Sequence, residues 1–263
     1  MALGIKTPHL IKKIIKSDER LLARVSVLYR PYLKLYLKLW TLKEHNLVNA
    51  AKINPFQILW VDPHCIELAL NKESRNWEED FFKPRIKSGE WDQKTHEFKS
   101  REVFQSIILK FEENEEWDQT PLFKNAIKSV RDDKIAGQYH ASSEEELEES
   151  LRRIEDIYTS INEEGYKLQK ELKEGKRTGH YEFIDKYLWT PNEITLSIGR
   201  NGEFLFEDGN HRLSIAKILD LERIPVRILV RHEKWQEKRN MAVREPGKLN
   251  KKYHDHPDIE YLM

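Results

Sequence analysis

The chain has 263 residues, and its 45 Lys and Arg residues balance 45 Asp and Glu residues, so its formal net charge is zero. A neutral chain argues against capture of nucleic acid by the whole surface, and 39% hydrophobic residues, with seven Trp, exclude disorder throughout. The lone cysteine, Cys65, excludes an intrachain disulfide framework and a cysteine-based zinc cluster, which suits the cytoplasm.

The first 43 residues are strongly basic. They contain ten Lys and Arg residues and two acidic residues, and ten minus two gives a net charge of +8. An aromatic residue recurs here every three or four positions, which predicts one face of a helix; the stripe is Tyr29, Tyr32, Tyr36 and Trp40. Two interpretations stay open: the stripe packs on the rest of the protein, or residues 6–43 associate with an anionic membrane surface.

Composition and periodicity divide the chain into three segments. These are a basic amphipathic helical segment (1–52), a mainly helical region (53–180), and a small sheet with a C-terminal helix and tail (181–263). In the middle region, residues 58–61 are predicted to form a short strand and residues 76–102 an irregular stretch. Three amphipathic helices are predicted at residues 101–112, 121–132 and 143–165, followed by a linker at 170–180. The predicted fold class is therefore α/β or α+β, with a helical N-terminal region packed on a small mixed sheet.

After residue 191 the pattern changes to short strands and tight turns. Residues 192–198 alternate apolar with polar side chains, as a half-buried strand does, and Gly199–Glu203 predicts a hairpin loop. A second strand is predicted at residues 204–206, followed by a polar turn at 208–212 and a helix at 213–219. A third strand is predicted at residues 224–230 and a final helix at 231–239.

The polar turn reads Asp208-Gly209-Asn210-His211-Arg212, and a strand, a glycine turn and a helix start suit an anion. Gly209 permits a backbone conformation that other residues resist, and the helix dipole favours negative charge at this end. His211 and Arg212 add side-chain donors. Asp208 would repel a phosphate that binds without a metal ion. It could instead act as a Mg²⁺ ligand, as a proton acceptor, or as an orienting partner for His211 or Arg212. The open alternative is a structural Asp-Gly turn with a buried Arg–Asp pair and Asn210 as helix cap.

The turn, the hairpin before it and the Ile224-Pro225-Val226 strand after it resemble the core of the ParB/sulfiredoxin superfamily. The likeness covers about residues 191–232, and the motif is closest in form to that of the free-serine-kinase branch. The chain is also similar to a family of archaeal and bacterial proteins that share a DGNHRL motif and a helix containing Trp-Gln, here Trp235-Gln236. The superfamily includes DNA-partition proteins that bind CTP, sulfiredoxins that use ATP, and kinases of free serine.

This resemblance implies that the turn holds nucleotide phosphates. The phosphate-binding residues it implies are Gly209, Asn210, His211 and Arg212. It also implies ATP or ADP as the nucleotide, and Mg²⁺ held by Asp208.

The resemblance further implies catalytic roles for Asp208 and His211, and for Glu193 as the base that serves a hydroxyl acceptor; Glu207 is the second choice for that base. Asn210 stands where sulfiredoxins carry their nucleophilic cysteine, which argues against sulfiredoxin chemistry. The serine kinases have His at that position, so the identity of the acceptor stays open.

Three functions are compatible with these residues. The first is a nucleotide-dependent phosphotransferase, or kinase, acting on a small-molecule hydroxyl or on a glycan or lipid-linked hydroxyl. The second is a ParB-like CTP- or ATP-binding regulator or nuclease that associates with DNA, although nucleic acid is the less favoured partner of a neutral chain. The third is a non-catalytic scaffold at the membrane surface.

Three further groups are candidates for which a structural role stays open. They are Gly165, Tyr166 and Gln169, predicted to help shape the pocket; Lys234, Lys238 and Arg239, which would line a phosphate pocket or face solvent; and His254 with Asp255 and His256, which would bind a metal or lie on the surface.

Overall fold

The computed structural model describes residues 31–32, 34–74, 83–132, 141–172 and 192–262, and it has a mixed α+β fold. Seven strands form its sheet: β1 Leu59–Val61, β2 Leu68–Leu70, β3 Arg85–Lys87, β4 Thr95–Glu97, β5 Ile194–Ile198, β6 Phe204–Asp208 and β7 Ile224–His232. The predictions for Tyr29 and for most of the 170–180 linker lie outside the described residues.

The sheet is mixed, in the order β1-β7-β5-β6-β2-β4, and β3 pairs with the last three residues of β7. β5 runs parallel to β7 and antiparallel to β6, while β2 runs parallel to β6. The pairings of β1 with β7 and of β2 with β6 cross the predicted boundary at residue 180, so one sheet draws on both segments.

Six α-helices can be bounded in the described residues. They are α1 Glu102–Phe111, α2 Pro121–Arg131, α3 Glu144–Glu164, α4 Asn210–Ile218, α5 Glu233–Arg244 and α6 Pro257–Glu260. Short 3₁₀ turns lie at Pro63–Cys65, Lys72–Ser74, Trp91–Gln93, Phe98–Ser100, Trp117–Gln119, Pro246–Lys248 and Lys251–Tyr253.

The three helices predicted between residues 101 and 165 are confirmed. Caps explain two of their starts: the Thr120 hydroxyl accepts from the Phe123 N–H, and the Ser143 hydroxyl from the Glu146 N–H. Gly165, with φ 73°, ends α3 as expected. These helices share one apolar cluster, to which Ile215 of α4 also belongs.

Two predictions about strands are wrong. The stretch 76–102 is not irregular throughout, because β3 and β4 lie within it; each has only three residues, too few to show an alternating pattern. β5 is not half-buried, because all five of its residues are buried, and its apolar residues share one cluster with residues of α4 and α5. Its polar Ser197 is accommodated by a hydrogen bond to Glu207, 2.6 Å from hydroxyl to carboxylate.

The C-terminal tail closes the far side of the core through one buried carboxylate, Asp258. It accepts hydrogen bonds from Arg231 at 2.6 and 2.9 Å and from the Trp235 indole at 2.9 Å, and Arg239 lies 3.1 Å away. Although burial opposes its ionisation, these two arginines lower the pKa of Asp258 to about 2.

The N-terminal helix (residues 34–41) runs into a π-helical turn, Leu42–Asn46. Leu37 and Thr41 are buried, and Tyr36 and Trp40 are half-buried beneath the ammonium of Lys83, 5.7 and 5.5 Å from the ring centres. This part of the aromatic stripe therefore packs on the protein. No helix of the described ranges combines the length and apolar character that crossing a bilayer requires.

Candidate functional site

Polar residues gather where the neighbouring strands β2 and β6 end. The two strands are parallel, so their carboxyl ends meet at one edge of the sheet. Asn71 follows β2 there, and Asp208 ends β6. Ligands of α/β proteins commonly bind beyond the carboxyl ends of strands, and the polar turn lies at that position.

Gly209 makes the turn from β6 into α4. Its φ of 99° and ψ of 35° are left-handed, and an added Cβ would lie 3.1–3.2 Å from side-chain and backbone atoms of Ile194. The first helical N–H bond runs from Leu213 to the Gly209 carbonyl, at 3.0 Å. The N–H groups of residues 210–212 thus belong to the first turn, where a helix attracts an anion.

Arg101 is a candidate site residue that the sequence did not indicate. It stands at the N-cap of α1, and its Nε donates to Asn210 Oδ1 at 2.9 Å. Its Nη1 lies 3.3 Å from Nε2 of His96, whose Nδ1 lies 2.8 Å from Asn71 Oδ1. The guanidinium sits 5.2 Å above the Phe206 ring. These polar side chains are half-buried, and the starts of α1 and α4 are joined through Arg101 and Asn210.

The guanidinium of Arg212 points into the protein. It donates to the carbonyl of Asn192 and to the Tyr166 hydroxyl, 3.3 Å away, and its side chain is 11% exposed. Burial opposes its charge, but Tyr166, Glu193 and Asp208 together raise the pKa of Arg212. In this structure Arg212 contacts protein groups and its guanidinium is largely shielded from solvent.

Glu193 is the counter-ion of Arg212. Its Oε2 lies 3.8 Å from Nη1 of Arg212, its Oε1 accepts from the Gln169 N–H at 2.7 Å, and its side chain is 0% exposed. Tyr166 and Gln169, which were predicted to help shape a pocket, contact Arg212 and Glu193 here. Burial raises the pKa of Tyr166, so its hydroxyl stays protonated.

The predicted carboxylates therefore occupy different environments. Glu193 and Glu207 are buried against Arg212 and Ser197, whereas Asp208 at the turn is half-exposed. Mg²⁺ that arrives with a nucleotide commonly takes one or two carboxylates together with phosphate oxygens. Asp208 fits that role, and no group of three or more His, Cys, Asp or Glu residues that could hold a metal occurs in the described part of the chain.

The buried polar atoms that lack a hydrogen-bond partner among the described residues include one atom of Asn192 and one of Ser214. One is Nδ2 of Asn192, the residue whose carbonyl accepts from Arg212, and the other is Oγ of Ser214 in α4. Most buried polar atoms are paired, so these two atoms are exceptions.

The remaining basic and histidine candidates lie elsewhere. β7 runs parallel to β5, and β5 runs antiparallel to β6, so β7 ends and α5 begins at the sheet edge opposite the turn. Arg239 of α5 is buried against Asp258. Lys238 donates to the Arg200 carbonyl at 2.8 Å. His256 uses both ring nitrogens, one near the Gly202 carbonyl and one accepting from the Asp258 N–H. Arg239, Lys238 and His256 thus have structural partners, and the phosphate and metal interpretations of the two groups stay predictions.

Comparisons of the chain with protein-family models, with curated proteins and with solved structures return no match. The resemblance to the ParB/sulfiredoxin superfamily consequently stays a prediction that rests on the residues of the turn.

Proposed function

We propose that this protein is a nucleotide-dependent phosphotransferase that holds nucleotide phosphates at residues 208–212. The observation that carries the proposal is the contact between Arg101 at the start of α1 and Asn210 at the start of α4, beyond the carboxyl ends of β2 and β6. Both helix starts bring partial positive charge to the same half-buried place, and Arg101 adds a full charge.

A phosphate ester suits this place better than a carboxylate does. Phosphate accepts hydrogen bonds on several oxygens, so it can use the N–H groups of residues 210–212 and the fork of Arg101 at once. The guanidinium carbon of Arg101 lies 6.0 and 5.2 Å from the ring centres of Phe98 and Phe206, and these cation–π contacts favour its position. Arg101, and not Arg212, would therefore make the main side-chain contact with phosphate.

The other residues take complementary roles. Asp208 holds Mg²⁺ or orients the acceptor hydroxyl, and His211 lies in the first turn of the same helix. Bound Mg²⁺ would neutralise charge on the transferred phosphoryl group. Glu193 acts as a positioning residue, because it holds Arg212 and through it the Asn192 carbonyl beneath the turn.

Binding is tested by thermal-shift and calorimetric titration of the full chain with ATP, ADP, CTP and GTP, each with Mg²⁺. We expect a rise in Tm with ATP or ADP, because a ligand that binds only the folded state stabilises it. Arg101→Ala should weaken binding by about 10- to 100-fold, the usual loss for a charged hydrogen bond to phosphate.

The matched control is Arg153→Ala, which removes an exposed arginine of α3 that pairs with Glu149, and this variant should bind as the wild type does. No Tm shift with any nucleotide, or equal binding by Arg101→Ala and wild type, would refute the site. A preference for CTP would instead favour a ParB-like nucleotide switch.

Transfer is tested separately from binding. The assay contains ATP, Mg²⁺ and a panel of hydroxyl compounds. Asp208→Asn should still bind nucleotide, but its rate of ADP formation should fall by about 10²- to 10⁴-fold, the usual contribution of a positioned acid–base group. Glu207→Gln is the control, since Glu207 bonds to Ser197 within the sheet. Equal turnover by Asp208→Asn and wild type would leave a nucleotide-binding protein without this catalytic residue.

A further inference from the structure

The exposed large apolar side chains of the described residues are concentrated between residues 32 and 48, on the N-terminal helix and immediately beside it. Ten large hydrophobic residues are exposed in the described part of the chain, and six of them lie between residues 32 and 48. They are Tyr32, Leu35, Leu39, Leu42, Leu47 and Val48, with exposures from 45% to 71%. Single exposed apolar residues are ordinary, but a cluster of this kind marks an interaction surface.

Four of these residues, from Tyr32 just before the helix to Leu42 at the start of the π-helical turn, fall on one side of a helical projection. Tyr32, Leu35, Leu39 and Leu42 follow one another at spacings of three, four and three, and we name them the leucine face. Leu37 and Thr41 lie on the opposite side of the helix and are buried. The helix thus has two apolar sides, one against the protein and one toward solvent.

The leucine face is carried on an anchored element. Asn46 at the end of the π-helical turn bonds to the backbone of Ile53 at 2.7 and 2.9 Å. Ala51 is completely buried and bonds to Gln236 and Asn240 of α5 at 2.8 and 3.0 Å. Local fraying therefore does not account for the exposure of the face.

Positive charge borders the face. On a helical projection, Lys38 lies to one side of it and Lys43 to the other, and both are exposed. Residues 6–30, which precede the helix in the chain, contain seven basic and two acidic residues. A second copy of this surface would oppose like charges, whereas an anionic bilayer offers both an apolar layer and negative headgroups.

We propose that the leucine face, with Leu47 and Val48, docks the protein on an anionic lipid bilayer. The helix lies in the plane of the interface, with its leucines among the upper acyl chains and Lys38 and Lys43 at the headgroups. The aromatic residues Tyr36 and Trp40 hold the helix on the protein. This inference is independent of the nucleotide site.

The test is co-sedimentation of the full chain with vesicles of phosphatidylcholine alone or of phosphatidylcholine mixed with phosphatidylserine. We expect binding to the anionic vesicles that weakens with salt. Leu35→Ser with Leu39→Ser should weaken it at least about tenfold, and Lys38→Gln with Lys43→Gln about fivefold per residue.

The matched control is Met241→Ser with Val243→Ser, which removes two exposed apolar side chains from α5. Circular dichroism and Tm should be unchanged in every variant, because the replaced side chains are exposed. The proposal is overturned if the wild type does not bind anionic vesicles, or if the leucine variant binds as the wild type does. It is also overturned if light scattering shows a dimer that the leucine variant abolishes while no vesicle binding occurs.

Discussion

Replacing Arg212 by methionine is expected to lower the free energy of unfolding by about 3–5 kcal/mol. Arg212 donates to Asn192 and Tyr166 and neutralises Glu193, whose side chain is 0% exposed. Without the guanidinium, Glu193 would be a buried carboxylate that has lost its counter-ion, although the Gln169 N–H still donates to it. Urea unfolding followed by circular dichroism measures the loss.

A double variant separates the ion pair from simple packing. Arg212→Met with Glu193→Gln removes both charges and keeps an acceptor for the Gln169 N–H, so it should recover much of the stability lost in Arg212→Met. If the free energy of unfolding of Arg212→Met lay within about 1 kcal/mol of the wild-type value, the ion pair would contribute little to the stability of the fold. It would also restore Arg212 as a candidate phosphate ligand.

Arg101 is therefore a better probe of the nucleotide site than Arg212. Loss of binding in an Arg212 variant would follow from damage to the fold as well as from loss of a phosphate contact. Arg101 is half-buried and contacts Asn210 from another element, so its removal reports on the site itself.

Replacing Asp258 by alanine is expected to destabilise the protein by at least about 3–5 kcal/mol. It leaves Arg231 and Arg239, which are 1% and 0% exposed, without their shared carboxylate. Since domains are stable by only about 5–15 kcal/mol, most of the margin would be lost. Urea midpoints measure the effect, and Asp255→Ala, an exposed carboxylate three residues away, is the control.

The same carboxylate makes the fold acid-sensitive. Folding lowers the pKa of Asp258 from 3.8 to about 2, so its contribution is complete above the unfolded pKa and disappears as pH falls through the folded pKa. We expect about 2 kcal/mol to be lost between about pH 4 and about pH 2, beyond the loss in Asp258→Asn. Equal pH dependence in both proteins would contradict the assignment.

Local rules predicted the helices and turns of this chain well. The Ser143 cap and Gly165 bounded α3, and Gly209 was correctly assigned to the turn before α4, because caps and left-handed glycines depend on a few neighbouring residues. β3 and β4 were missed because three residues carry too little pattern. β5 was misjudged because burial on both faces depends on elements from elsewhere in the chain that pack on the sheet.

The candidate site shows the same division. The motif at residues 208–212 and its placement at a helix start were predicted from sequence alone, since they belong to one continuous segment. The direction of Arg212, the burial of Glu193 and the contact of Arg101 with Asn210 were decided by tertiary structure. Arg101 is 109 residues before its partner, and only the pairing of β2 with β6 and the packing of α1 on α4 bring the two together. Charge and period thus determined what kinds of group this chain has, and long-range packing decided which of them face solvent and which face each other.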